Sequence, residues 1–130
     1  MPKYSPDSKK KLATCHPLLQ DLFNEVIKRI DVSIIWGYRD RETQNKFYQT
    51  GTSKAVWPMS KHNRTPSEAV DFAPYPINWA NEKRFRYFAG IITGIAYMKR
   101  IPIRWGGDWD QDTELEPNEN DLGHLELVLP

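Results

Sequence analysis

The chain has 130 residues, 39% of them apolar and five of them tryptophan, which suits one domain, residues 1–130, with its own core and excludes a disordered tail. Its 18 basic and 17 acidic side chains leave a formal charge of +1, so net charge gives no long-range reason to bind nucleic acid. Cys15 is the only cysteine, which excludes an intramolecular disulfide and any cysteine-built zinc knuckle.

Met1 to Pro6 lacks the apolar stretch of a secretory signal, and no apolar run approaches the ~20 residues that span a bilayer. Synthesis in a bacterial cytoplasm with no export address, and no membrane insertion, is the expectation. Ser8 to Ala13 reads as a short helical turn carrying on towards Cys15, a small buried hydrophobe. His16 has no ligand-spaced partner and suits a capping or surface role. Pro17 fits the first position of a second helix, whose Leu18, Leu19, Leu22, Phe23, Val26, Ile27 and Ile30 keep helical spacing to about Asp31.

Val32 to Trp36 is β-branched and aromatic, as a buried strand is, and Gly37 ends it. Arg41 to Gln49 reads as a helix stopped by Gly51, and Ser53 to Thr65 as irregular. Ala69 to Ala73 reads as a short strand closed by Pro74 and Pro76. Asn78 is the expected N-cap of the next helix, with Phe85, Phe88, Ala89, Ile92, Ile95 and Ala96 as its apolar stripe. Gly90 and Gly94, one turn apart, suggest close packing against the sheet. Ile101 to Trp105 reads as a strand, Gly106 to Asn120 as an acidic loop, and Gly123 to Leu129 as a final strand. Short strands without regular helical crossovers predict an α+β fold with a small, mainly antiparallel sheet and helices packed against it.

The chemistry concentrates at the two other histidines. His62 and His124 each lie at the edge of a predicted strand or loop, with Asp71 after the first and Asp121 and Glu126 around the second. Two imidazoles and one carboxylate are a common zinc ligand set that leaves one position for water. On their own, two scattered histidines read more readily as satisfied structural residues, and no His-Glu-x-x-His helix is present to favour the metal.

The words around them carry more. Ser60-Lys61-His62, Ala69-Val70-Asp71-Phe72-Ala73-Pro74 and Asp121-Leu122-Gly123-His124-Leu125-Glu126 resemble the zinc D-alanyl-D-alanine carboxypeptidase family, which is marked by Ser-x-His-x-x-Gly-x-Ala-x-Asp and a later Asp/Glu-x-x-His. The likeness is strongest to its phage-endolysin branch of L-alanyl-D-glutamate endopeptidases. Gly37-Tyr38-Arg39 with Gln44, the segment Leu12 to Gln20, and Arg104-Trp105-Gly106-Gly107-Asp108-Trp109 extend it from about Leu12 to Val128. One departure stands out: His62 and Asp71 are nine residues apart, two more than the motif has, and Ser67 stands in the place of its glycine. An insertion within Asn63 to Pro66, absorbed by a loop, leaves Asp71 in place as the ligand rather than Glu68.

The resemblance implies a hedgehog/D,D-peptidase-like fold, Zn2+ held by His62, Asp71 and His124, and Asp121 as the base that takes a proton from water. Glu126 is the rival base; as residue i+2 of a strand it shares a face with His124 and alternatively orients that ligand. Arg39 matches the arginine that polarises the substrate carbonyl, with a plain salt bridge as the other reading. Gln44 and Ser60 match positions of substrate contact or site architecture, and Asp108 is a further supporting candidate. The acidic residues 108–114 form either a solvated loop or a second, calcium-type metal site.

The substrate implied is the stem peptide of bacterial peptidoglycan, cut by a monomer that reaches the wall after release from the cell. The bond expected is L-alanyl-D-glutamate. The alternatives are D,D-carboxypeptidase action on terminal D-alanyl-D-alanine, or a non-catalytic wall-binding or ligand-binding module, a use to which the hedgehog signalling domain puts a similar fold.

Overall fold

The computed structural model describes every residue except Met1, Leu115, Pro117 and Asn118. In chain order it comprises α1 (Pro6–Leu12), α2 (Pro17–Val26), β1 (Val32–Trp36), α3 (Arg41–Gln49), a 3-10 turn (Lys61–Asn63), β2 (Ala69–Pro74), α4 (Glu82–Met98), β3 (Ile103–Trp105) and β4 (His124–Leu127). The strands form one sheet in the order β1-β2-β4-β3, each pair antiparallel. The predicted α+β class holds, with element ends drawn in: α2 stops at Val26 and β4 at Leu127.

Period-two alternation gives the sheet a dry face and a chemical face. Val70 and Phe72 of β2 and Leu125 and Leu127 of β4 enter the core with Leu19, Leu22, Phe23 and Val26 of α2 and Phe85, Ala89, Ile92 and Ala96 of α4. Each of the larger side chains among them contributes roughly 1.5–3 kcal/mol by leaving water. Asp71, His124 and Glu126, which alternate with these residues along β2 and β4, face the other way. The register sets Asp71 directly across from His124 and Ala69 across from Glu126. On the other side of β2, a bulge between Ile34 and Trp36 brings Trp36 opposite Asp71, re-aiming the end of β1 towards the same point.

Caps and edges follow from short polar side chains. His16 caps α2, its Nδ1 accepting from Leu18 N at 3.0 Å. Ser8 of α1 covers the outer edge of β1, its Oγ accepting from Ile34 N at 3.0 Å. Cys15 is buried, and its neighbours Thr14 and His16 bond the backbone of Ser67.

Two local expectations are corrected. Asn81, not Asn78, caps α4, its Oδ1 accepting from Arg84 N at 3.2 Å; Asn78 instead closes a turn onto Ala80 N, the competing use of such a side chain. Gly90 and Gly94 do not pack closely: a Cβ on either meets nothing within 4 Å. They lie on the exposed side of α4, rotated away from Ala89, Ile92 and Ala96, which make the close contact. No helix among the described residues is long and apolar enough to cross a membrane.

Candidate metal centre and catalytic cleft

Three segments deliver His62, Asp71 and His124 to one point. Ser60 starts the 3-10 turn, its Oγ accepting from His62 N at 3.2 Å, while Asn63 Oδ1 accepts from Ser60 N at 3.1 Å. This reciprocal cap fixes where the His62 ring leaves the backbone. His62 Nε2 then lies 3.2 Å from Asp71 Oδ1, and His124 Nδ1 lies 3.1 Å from the same oxygen. The two ring centroids are 5.2 Å apart. Glu68 does not join them; it pairs with Arg64 at 2.6 Å. The longer segment before Asp71 thus runs through Arg64 to Ser67 without displacing the carboxylate.

Each imidazole is also held from behind. His62 Nδ1 donates to Gly37 O at 2.8 Å, and His124 Nε2 to Glu126 Oε1 at 2.9 Å. With those nitrogens as donors, Nε2 of His62 and Nδ1 of His124 keep their lone pairs for the shared point. Tetrahedral zinc with bonds of ~2.0–2.1 Å separates its donors by about 3.3 Å, close to the spacing here. The donor set therefore fits the ion: two neutral nitrogens, one anionic oxygen, and second hydrogen bonds that select the ligating tautomers.

The electrostatics follow from the same contacts. Burial opposes ionisation of Asp71, but His62 and His124 hold its carboxyl far below the usual carboxylate range. Burial would lower the His124 imidazole, yet hydrogen bonds to Asp71 and Glu126 outweigh it and push the group up to about 9. Glu126 is desolvated too, but His124, Arg104 and Lys61 bring it down to about 2. Its Oε2 receives Arg104 at 2.9 Å and Lys61 at 3.2 Å. As expected from its place in the strand, Glu126 shares a face with His124.

Arg39 is buried behind the centre. Its Nη2 donates to Asp71 Oδ2 at 3.1 Å and its Nη1 to Gln44 Oε1 at 3.0 Å. The guanidinium lies over the rings of Phe47 and Trp36, and its Nε has no hydrogen-bond partner among the described residues. Gln44 is fully buried; its amide nitrogen donates to Ser53 Oγ and Ala55 O. Gln44 and Ser60 are thus found in the supporting framework.

Asp121 lines the same cleft as the two histidines and Arg39. The cleft wall shields its carboxyl, although the residue as a whole stays accessible, and this desolvation raises its pKa; Asp71 pushes the same way, His124, His62 and Arg39 against. Asp108 lies apart, its Oδ2 accepting from Thr113 N at 3.0 Å.

Several parts were missed in the sequence. Gly37 carries the carbonyl that orients His62, and a Cβ there would lie 2.3 Å from Lys11 O. Gly106 lets Asp121 approach, since its Cβ would stand 2.1 Å from Asp121 O. Lys61 and Arg104 anchor Glu126, and Trp109 lies with its ring centroid 5.2 Å from that of His124. The glycines and Trp109 sit inside the motif words quoted above; their roles appear only with the backbone in place.

Comparison with known proteins places this geometry. No curated protein sequence matches the chain. A solved structure, the L-Ala D-Glu endopeptidase ChiX of Serratia marcescens, shares the fold with a TM-score of 0.78 at 21% identity, over 98% of this chain and 90% of that one. The family described as phage L-alanyl-D-glutamate peptidase matches residues 1–128. That description gives no specific support to a D,D-carboxypeptidase. With that match running over nearly its whole length, the chain belongs to the phage L-alanyl-D-glutamate peptidase family.

Proposed function

We propose that this peptidase is zinc-dependent and cuts the L-alanyl-D-glutamate bond of the peptidoglycan stem peptide. The observation that carries the reading is the convergence of His62 Nε2, Asp71 Oδ1 and His124 Nδ1, each imidazole held from behind by an acceptor. Zinc bound there supplies Lewis acidity, which polarises a scissile carbonyl and makes water acidic near neutral pH.

Around it this chain's own residues divide the work. Asp121, with its raised pKa, is the base that receives the proton of the attacking water and then passes it to the leaving amine. Glu126 is not the base in this reading: two cations and His124 occupy its oxygens and keep it ionised. It is a positioning residue, as are Ser60 and Gln44. Arg39 brings buried positive charge to the cleft, fixed by Asp71 and Gln44, and that charge steadies the developing oxyanion. Trp79, stacked on Phe85 at 5.6 Å, and Trp109 form apolar walls for the substrate.

Digestion of purified peptidoglycan, read by mass spectrometry, tests the proposal. New D-glutamyl amino termini are expected, abolished by a chelator and restored by zinc. Release of free D-alanine alone, or digestion indifferent to chelator, would contradict it.

A further inference from the structure

The acidic loop after β3 holds a second group of metal-type donors, away from the histidines. Asp108, Asp110, Asp112 and Glu119 each place one carboxylate oxygen within 4.8 Å of the others. Backbone N–H groups occupy only part of their capacity: Thr113 N donates to Asp108 Oδ2, Asp112 N to Asp110 Oδ1, Glu114 N to Asp112 Oδ1 and Asp110 N to Glu119 Oε2. Two buried oxygens, Asp108 Oδ1 and Glu119 Oε1, have no hydrogen-bond partner among the described residues. Glu119 is only 5% exposed, so its carboxylate is buried with half its acceptors unmatched.

Among the described residues no basic side chain pairs with these carboxylates. Arg104, which stacks on Trp109, gives its charge to Glu126. The Asp110 carboxyl is raised, by desolvation first and then by the facing carboxylates of Asp112 and Asp108. Four carboxylates gathered around a buried, half-satisfied glutamate cost electrostatic energy unless a cation joins them.

We propose that Asp108, Asp110, Asp112 and Glu119 bind a hard divalent cation of the calcium class. The donors are all oxygen, which selects a hard ion over zinc. Four protein carboxylates gathered in one loop suit calcium, which takes many oxygen ligands in flexible geometry, over magnesium, which keeps several waters and takes one or two carboxylates. The site joins the two ends of the loop. Trp109 lies between two of the ligands with its ring against His124, and Glu119 stands two residues before Asp121. Bound cation thus fixes the loop ends that carry one wall of the cleft and its base.

Titration of the zinc-loaded chain with calcium alone, followed by calorimetry and by Tm, tests the site. One calcium per chain and a rise in Tm are expected, with little response to the same concentration of magnesium. Terbium in place of calcium should luminesce through Trp109, and Trp109→Phe should lose that emission while keeping calcium affinity. The double variant Asp110→Asn, Asp112→Asn retains the oxygens that the backbone uses but loses two charges. Its calcium affinity should fall at least about tenfold, with zinc content unchanged and the calcium-free Tm equal to or above the parent's, since like-charge repulsion is relieved. No calcium response in the parent chain, an equal response to magnesium, or an unaltered response in the double variant would overturn the proposal. None of these readouts depends on peptide cleavage, so failure here is distinct from failure of the peptidase reading.

Discussion

At His124 two carboxylates share one imidazole, and that sets how the centre loads. Without metal, Asp71 on Nδ1 and Glu126 on Nε2 favour the charged ring and raise it to about 9. The folded value lies above the ordinary 6.5, so the charged ring's stabilisation is complete below about pH 6.5 and is lost as pH rises through 9. The metal-free protein should therefore lose Tm between pH 7 and 9, and the zinc-loaded protein should not, because its Nδ1 carries no proton to lose. By the same competition zinc affinity should climb towards pH 9, and calorimetry at pH 7 in buffers of different ionisation enthalpy should register release of about one proton from this ring. No proton release at pH 7 would contradict the assignment. Glu126→Gln keeps an acceptor for Nε2–H but removes the charge that Lys61 and Arg104 enclose; zinc affinity should drop roughly 10–100-fold with the fold intact by circular dichroism. A variant that retained parental zinc affinity would remove Glu126 from any positioning role.

At the level of elements, the site depends on backbone approaches that only glycine allows. At Gly37 a methyl group would press on Lys11 O and Thr14 Oγ1, each at 2.3 Å. Gly37→Ala should therefore shift the end of β1 away from α1 and carry with it the carbonyl that orients His62. The expected result is weaker zinc binding together with a lower Tm, whereas a loss of Tm with unchanged zinc affinity would show that the carbonyl does not set the His62 ring. The strands and the amphipathic α2 were legible because their periods of 2 and 3.6 are properties of the sequence itself. The cap of α4 was misplaced because Asn78 and Asn81 offer the same side chain, and only the tertiary path chooses between a turn and a cap. Gly90 and Gly94 misled for a related reason: small residues one turn apart promise close approach only if their face meets a neighbour, and theirs meets solvent.

Across the whole molecule, the sheet serves as a partition between core and chemistry. Truncating the core side should unfold the site without touching it: Phe23→Ala removes a fully buried ring and should cost ~3–5 kcal/mol, read as a lower midpoint in denaturant, with zinc binding lost only as the protein unfolds. The ligand trio was nameable from sequence through its family resemblance, since no local spacing joins His62 to His124. What stayed hidden was the back layer, namely Gly37 O, Asn63, Lys61 and Arg104, because register and loop path rather than residue type bring those atoms to the ligands. Most directly decisive is the metal content of the purified chain, compared between the parent protein and His124→Ala. One zinc per chain in the parent and a loss of most of it in a folded His124→Ala are expected. A parent chain that cleaves peptidoglycan without metal, or a variant that keeps its full zinc, would contradict the central claim.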